Sequence, residues 1–84
     1  MLDKIERMNA LYDFYGDLLT DKQKEVFEWY YQNDNSLAEI AEQSGSSRAA
    51  VHDVLKGTEQ LLEDYDKSLH LLDNFRKRSK IYTD

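Results

Sequence analysis

The chain has 84 residues, a third of them charged, a net charge of −6, and neither Cys nor Pro. That length supports one small domain, and the lack of thiols excludes a disulfide, a cysteine zinc site and a thiol nucleophile. The acidic balance excludes strong nonspecific attachment to DNA, an affinity that phosphate contacts dominate, and a Pro-free chain with only three Gly points to an all-α protein.

The amino end, MLDKIERMN, lacks the apolar core of a signal peptide. No apolar run reaches the roughly 20 residues of a bilayer span. A cytoplasmic protein with no membrane span is expected. The first helix is predicted over about Asp3 to Tyr15, with Ile5, Met8, Tyr12, Tyr15 and Leu19 forming one apolar stripe. Gly16 ends or bends it. The second helix starts at Thr20, where Gln23 completes a capping box. It runs to about Gln32 and turns Val26, Phe27, Tyr30 and Tyr31 inward or half-inward. Asn33-Asp34-Asn35 reads as a turn. Seven of the ten aromatic residues lie between Tyr12 and Tyr31. Core filling explains them better than a base-stacking platform, with Trp29 at an edge.

Residues 36–58 carry the functional signal. Ser36 with Glu39 forms a capping box for a third helix over about Leu37 to Gln43. Ala41 stands where that helix must pass close to the next one. Gly45, four residues on, suits a turn at positive φ. Ser46 or Ser47 caps a fourth helix, whose inner face carries Val51. Two short helices joined by such a turn are the helix-turn-helix unit, which sets its second helix in a DNA groove. The outward set on that helix is Ser47, Arg48, Ala49, His52, Asp53 and Lys56, with Arg48, His52 and Lys56 on one line. Ser47, Arg48, Ala49, His52 and Lys56 are the candidate nucleic-acid contacts. Arg48 has the fork that grips guanine or phosphate. A solvated arginine and an exposed histidine are the plain alternatives. Asp53, which would repel phosphate, and Ala49 and Ala50, which offer no hydrogen bond, work against a DNA contact.

The fourth helix has no clear stop before Lys80, and Gly57 is its weak point. Val51, Leu55, Thr58, Leu62, Tyr65, Leu69 and Leu72 alternate by four and three residues, a heptad seam. The seam packs back on the first helix, or pairs with a second copy of the chain, or both. His70 has Asp66 and Asp73 at helical spacing, a surface pair rather than a metal site. Basic charge accumulates without acidic interruption only in Arg76, Lys77, Arg78 and Lys80, a candidate contact tail for nucleic-acid phosphate or an acidic partner. No catalytic constellation, phosphate loop or metal-ligand spacing emerges, so no enzyme, cofactor, metal or small-molecule substrate is expected.

In combination, these residues resemble a known family. The pieces are Leu11-Tyr12-Asp13-Phe14-Tyr15, Leu18-Leu19-Thr20 followed by Gln23, Tyr30-Tyr31, Ser36-Leu37 leading to Glu39-Ile40-Ala41, and Ser47-Arg48 with Ala50-Val51, Lys56 and Glu59. From about Met8 to Leu72 the chain is similar to the YlxM family of small bacterial proteins. That family resembles region 4 of sigma-70-type factors with an added C-terminal helix. Its genes lie beside that of the GTPase subunit of the signal recognition particle. The resemblance implies a sigma region-4-like helix-turn-helix domain with a long C-terminal helix, and a regulatory role in protein targeting. Expected is one helical domain over residues 1–84, with the helix-turn-helix at about 36–58 and a helical extension at about 59–80. Its candidate partners are components of the particle, protein or RNA, a second copy of the chain, or DNA bound by a transcription regulator through the second helix of the motif. Ser44 and Ser46 depart from the motif, standing where apolar residues usually seal the turn.

Overall fold

The computed structural model describes residues 2–72, 74 and 75, and every regular element among them is helical. Helix α1 spans Leu2–Tyr15 and passes into a 3-10 turn at Gly16–Leu18. Helix α2 spans Asp21–Phe27 and continues as a π-helical segment at Glu28–Gln32. Helices α3, Leu37–Ser44, and α4, Arg48–Leu69, complete the bundle. The all-α expectation holds, and so do the starts of the helices. Thr20 opens α2 with its capping box: its hydroxyl accepts from the Gln23 N–H at 3.2 Å, and its own N–H donates to the Gln23 side chain at 2.9 Å.

The second helix was expected to be α-helical to its end, and its last turn widens instead. The Asn33 N–H donates to the Glu28 carbonyl, five residues back, at 3.0 Å. This register brings Phe27 and Tyr31 inward together, with ring centroids 4.7 Å apart. Tyr12 also stacks on Phe27, at 4.5 Å. Tyr30 is directed outward, 36% exposed, against the half-inward expectation. The turn that follows places Asp34 at a φ of 58°, a left-handed conformation that a short polar side chain tolerates.

Helix α4 lies against α1, α2 and α3 at once. Its inner face buries Val51, Leu55, Thr58 and Leu62. The Thr58 hydroxyl is satisfied by donating to the Val54 carbonyl at 2.7 Å. From α1 come Met8, Leu11 and Tyr15. The predicted stripe needs one exchange here. Leu11 is fully buried, while Ile5 stays 44% exposed, because it overhangs the edge of the bundle beside Tyr30.

The fourth helix does not run on toward Lys80. It stops at Leu69, and His70 adopts the left-handed conformation at φ 57°. The cause lies on α1. Buried Asp66 accepts from the Tyr15 hydroxyl at 2.8 Å and from the Leu72 N–H at 3.0 Å. The Tyr15 oxygen in turn accepts from the Leu71 N–H at 3.0 Å. Two backbone donors beyond the helix are thereby captured, and the chain turns. Leu72 reaches the core through this turn, whereas Leu69, three residues earlier, is 51% exposed. The heptad seam is thus largely covered within one chain. Val51, Leu55, Leu62 and Leu72 are buried and Tyr65 is half-buried, so a second copy could reach the buried ones only by opening the bundle. A short helical turn follows at 71–72 and 74–75. The tail residues Arg76, Lys77, Arg78 and Lys80 lie outside the described residues.

Candidate functional site

The surface with the strongest sequence signal is built from α3, its turn and the first half of α4. Ser36 caps α3 reciprocally with Glu39, at 2.9 and 3.1 Å. The Ser36 N–H, donating to the Glu39 carboxylate, holds that group below the usual carboxylate range. At the far end Gly45 takes φ 70°, as its position predicts. The Ser46 N–H returns to the Ala41 carbonyl at 3.1 Å, the backbone closure that follows a left-handed C-cap. A methyl group at Gly45 would meet no atom within 4 Å, so it is the dihedral angle that selects glycine there. Ser47, not Ser46, caps α4, accepting from the Ala50 N–H at 3.0 Å. Ala41 is buried where the two helices approach. Ser44 and Ser46, which replace the usual apolar seal, are half-buried, and the Ser44 hydroxyl lies 3.5 Å from the Ala41 carbonyl.

Ser47, Arg48, Ala49, Ala50, His52, Asp53 and Lys56 are all exposed on the outer side of α4. His52 Nδ1 lies 3.6 Å from the Asp53 carboxylate. Lys56 leans inward along the helix, its Nζ 3.5 Å from Glu59 Oε1. That carboxylate is itself buried and already engaged. Its other oxygen accepts from the Tyr31 hydroxyl at 2.5 Å, and Lys4 of α1 approaches Oε1 at 3.5 Å. Burial, and then the bond to Glu59, push the Tyr31 phenol well above its ordinary range. One carboxylate therefore gathers the π segment, α1 and α4, and aligns Lys4 beside Lys56. Lys4 extends the Arg48–His52–Lys56 line, and sequence reasoning missed it because its partner stands 55 residues away.

Residues 2–84 match the family profile described as "Putative helix-turn-helix protein, YlxM / p13 like". The chain belongs to this family. A UPF0122 protein of Streptococcus thermophilus strain LMD-9 is 53% identical over 83 residues, covering 99% of this chain and 76% of that protein. UPF0122 protein gbs1018 of Streptococcus agalactiae serotype III has the same identity and coverage. A UPF0122 protein of Streptococcus pneumoniae strain Hungary19A-6 is 53% identical over 81 residues, 96% of this chain and 74% of its own. In this member of the family, no helix among the described residues is long and apolar enough to cross a membrane.

Beside the basic line opens a groove of about 500 Å³ that no local sequence feature announced. Its walls are the amino-terminal part of α1, the π segment, the start of α3 and the inner edge of α4, with Ile5, Tyr30, Leu37 and Leu55 as its apolar surface. The residues singled out from the sequence thus divide. Arg48, His52 and Lys56 share one exposed face, the seam residues sit largely in the core, and the groove brings together residues from four separate segments.

Proposed function

We propose that the chain is a regulatory binding protein of the signal recognition particle pathway, and that its partner is a protein or ribonucleoprotein component rather than duplex DNA. The observation that carries this reading is the poverty of phosphate contacts on the outer face of α4. Between Ser47 and Lys56 only Arg48 and Lys56 are cations. Lys56 is drawn toward Glu59, and Asp53 stands outward between them. A DNA-binding surface of the usual kind neutralises roughly 6–10 phosphates. The link to protein targeting rests on the family resemblance. The tail cations Arg76, Lys77, Arg78 and Lys80 add the charge that an RNA or acidic protein partner would use.

A second reading has its own support. Lys4 joins Arg48, His52 and Lys56 in one basic line, as a DNA-binding transcription regulator would require. Capture on the full chain from native cytoplasm, with and without DNase, separates the two, followed by titration with the purified particle RNA and GTPase subunit. Retention of a particle component after DNase is expected. Recovery of DNA alone, lost on Arg48→Ala and untouched by removal of the tail, would overturn the proposal.

A further inference from the structure

We propose that the groove between α1, the π segment and α4 is a docking site for an acidic peptide segment of a partner protein, anchored by one large apolar side chain. This deepens the reading of the chain as a protein-binding module and rests on it.

Ile5 and Tyr30 stand exposed at the lip of the groove, 44% and 36% accessible, over a floor that includes buried Leu55. The packing of the bundle leaves both outside the core. They adjoin Leu37 and Leu55 in the groove, so the four form one apolar patch and not scattered exposed side chains. An adjoining hollow of about 310 Å³ shares Ile5, Tyr30 and Tyr31, takes in Asp34, and prolongs the groove toward Ser36. The trough is therefore long enough for a short segment rather than a single side chain.

Charge decides what kind of segment. The molecule is acidic overall, at −6, yet in the groove proper two exposed lysines, Lys4 and Lys56, face one largely buried carboxylate, Glu59. Asp34 enters only in the adjoining hollow. Two other basins have the balance reversed, and the hollow beside Arg48 sets that cation against Asp53 alone. The basin around Asp66 sets Arg7 and Lys67 against Glu63, Asp64 and Asp66. The one beside Gly16 sets Lys24 against Asp13, Asp17 and Glu28. Glu59 is occupied by the Tyr31 hydroxyl, and both ammonium groups approach it only to 3.5 Å. Each ammonium carries three donors, so donors remain for an incoming carboxylate. A Leu, Ile or Phe in the trough, with Asp or Glu three or four residues away on the same helical face, would meet both features. Ile5, Leu37 and Leu55 give the groove an aliphatic wall beside the rings of Tyr30 and Tyr31, a lining that suits an apolar side chain.

The test is selection of a displayed library of random 12-residue peptides on the immobilised full chain at near-physiological salt. The expected winners are acidic and carry one bulky apolar residue. A synthetic copy of the best winner, followed by calorimetry, should lose about tenfold or more in affinity on Ile5→Glu or Tyr30→Glu. It should lose several-fold on Lys4→Glu. Both apolar sites are exposed, so thermal melting should confirm that the variants fold as the parent does. Amide shifts in NMR should cluster at residues 4–5, 30–37 and 52–59. Enrichment of basic peptides, no enrichment at all, binding indifferent to Ile5→Glu, or a single-stranded oligonucleotide shifting the same amides would overturn the proposal. Arg48→Ala keeps the two hypotheses distinguishable. It should leave peptide affinity unchanged even if DNA proves to be a partner of the outer face.

Discussion

The two halves of α4 are held in place by different means. From Arg48 to Gly57 the helix is fixed by neighbours in sequence: the Ser47 cap, the left-handed turn at Gly45, and α3 immediately before it. From Thr58 to Leu69 it is fixed by partners far along the chain. Glu59 accepts from Tyr31, Glu63 takes both ends of the Arg7 guanidinium at 2.6 and 2.9 Å, and Asp66 accepts from Tyr15. These acids follow at spacings of four and three, which puts them on one face of the helix. Carboxylates that add to the negative charge of the sequence therefore work inward, as acceptors that fasten α1 and the π segment. Other carboxylates, Asp13, Asp17, Asp21, Glu25, Glu42 and Asp53 among them, stay exposed.

The largest break in this contrast should come from one pair of changes in the same heptad seam. Leu62 is fully buried and Leu69 is 51% exposed. Leu62→Glu places a charge in the core and should abolish cooperative thermal unfolding, a loss of several kcal/mol. Leu69→Glu should melt within about 0.5 kcal/mol of the parent. Equal damage from both would mean that the helix continues past His70 and that the seam is buried elsewhere.

Next in size is the remote clamp. Asp66→Ala strips the Tyr15 hydroxyl and the Leu72 N–H of their acceptor, and should cost about 1–3 kcal/mol in denaturant unfolding. The same clamp gives a pH signature. Burial, and then bonds to carboxylates, raise the phenols of Tyr15 and Tyr31 above their usual value of about 10. The folded state thus prefers the neutral phenol. Its contribution is fully present below that ordinary value and is lost as the pH climbs beyond it. Stability followed by circular dichroism should fall above about pH 10, and less steeply in Tyr15→Phe. A flat alkaline limb would contradict the buried pairs.

The locally fixed half should respond more mildly. Ala41→Leu overfills the crossing of α3 and α4 and should cost about 1–3 kcal/mol. A variant that melts like the parent would show that the two helices do not meet at that point. Smallest, and opposite in sign, is Gly57→Ala. A methyl group there meets nothing within 4 Å, and helix propensity favours alanine by about 1 kcal/mol. The variant should melt slightly higher, and a decrease would reveal a contact at that site.

This contrast also explains what the sequence disclosed. The capping boxes at Thr20 and Ser36, the Ser47 cap and the positive φ of Gly45 depend on residues within a few positions of one another, and pattern reasoning reached them. The stop at His70 did not announce itself, because its cause is a tyrosine 51 positions away from Asp66. Ile5 read as core since its spacing is right for α1, but periodicity cannot tell where a helix overhangs its partners. The outward Arg48–His52–Lys56 line was legible from the 3.6-residue repeat. Lys4 beside it, and the groove below, arise only when separate segments meet at Glu59.

One consequence of the π segment is optical. The sole tryptophan, Trp29, lies in it half-buried against the core, and its carbonyl accepts the Asn35 N–H at 3.0 Å as the turn closes. An indole at such a boundary reports on its own hydration. Its fluorescence should therefore register any loosening of the π segment or of the turn that follows it in the native, unlabelled chain, and no engineered probe is needed to watch this part of the fold.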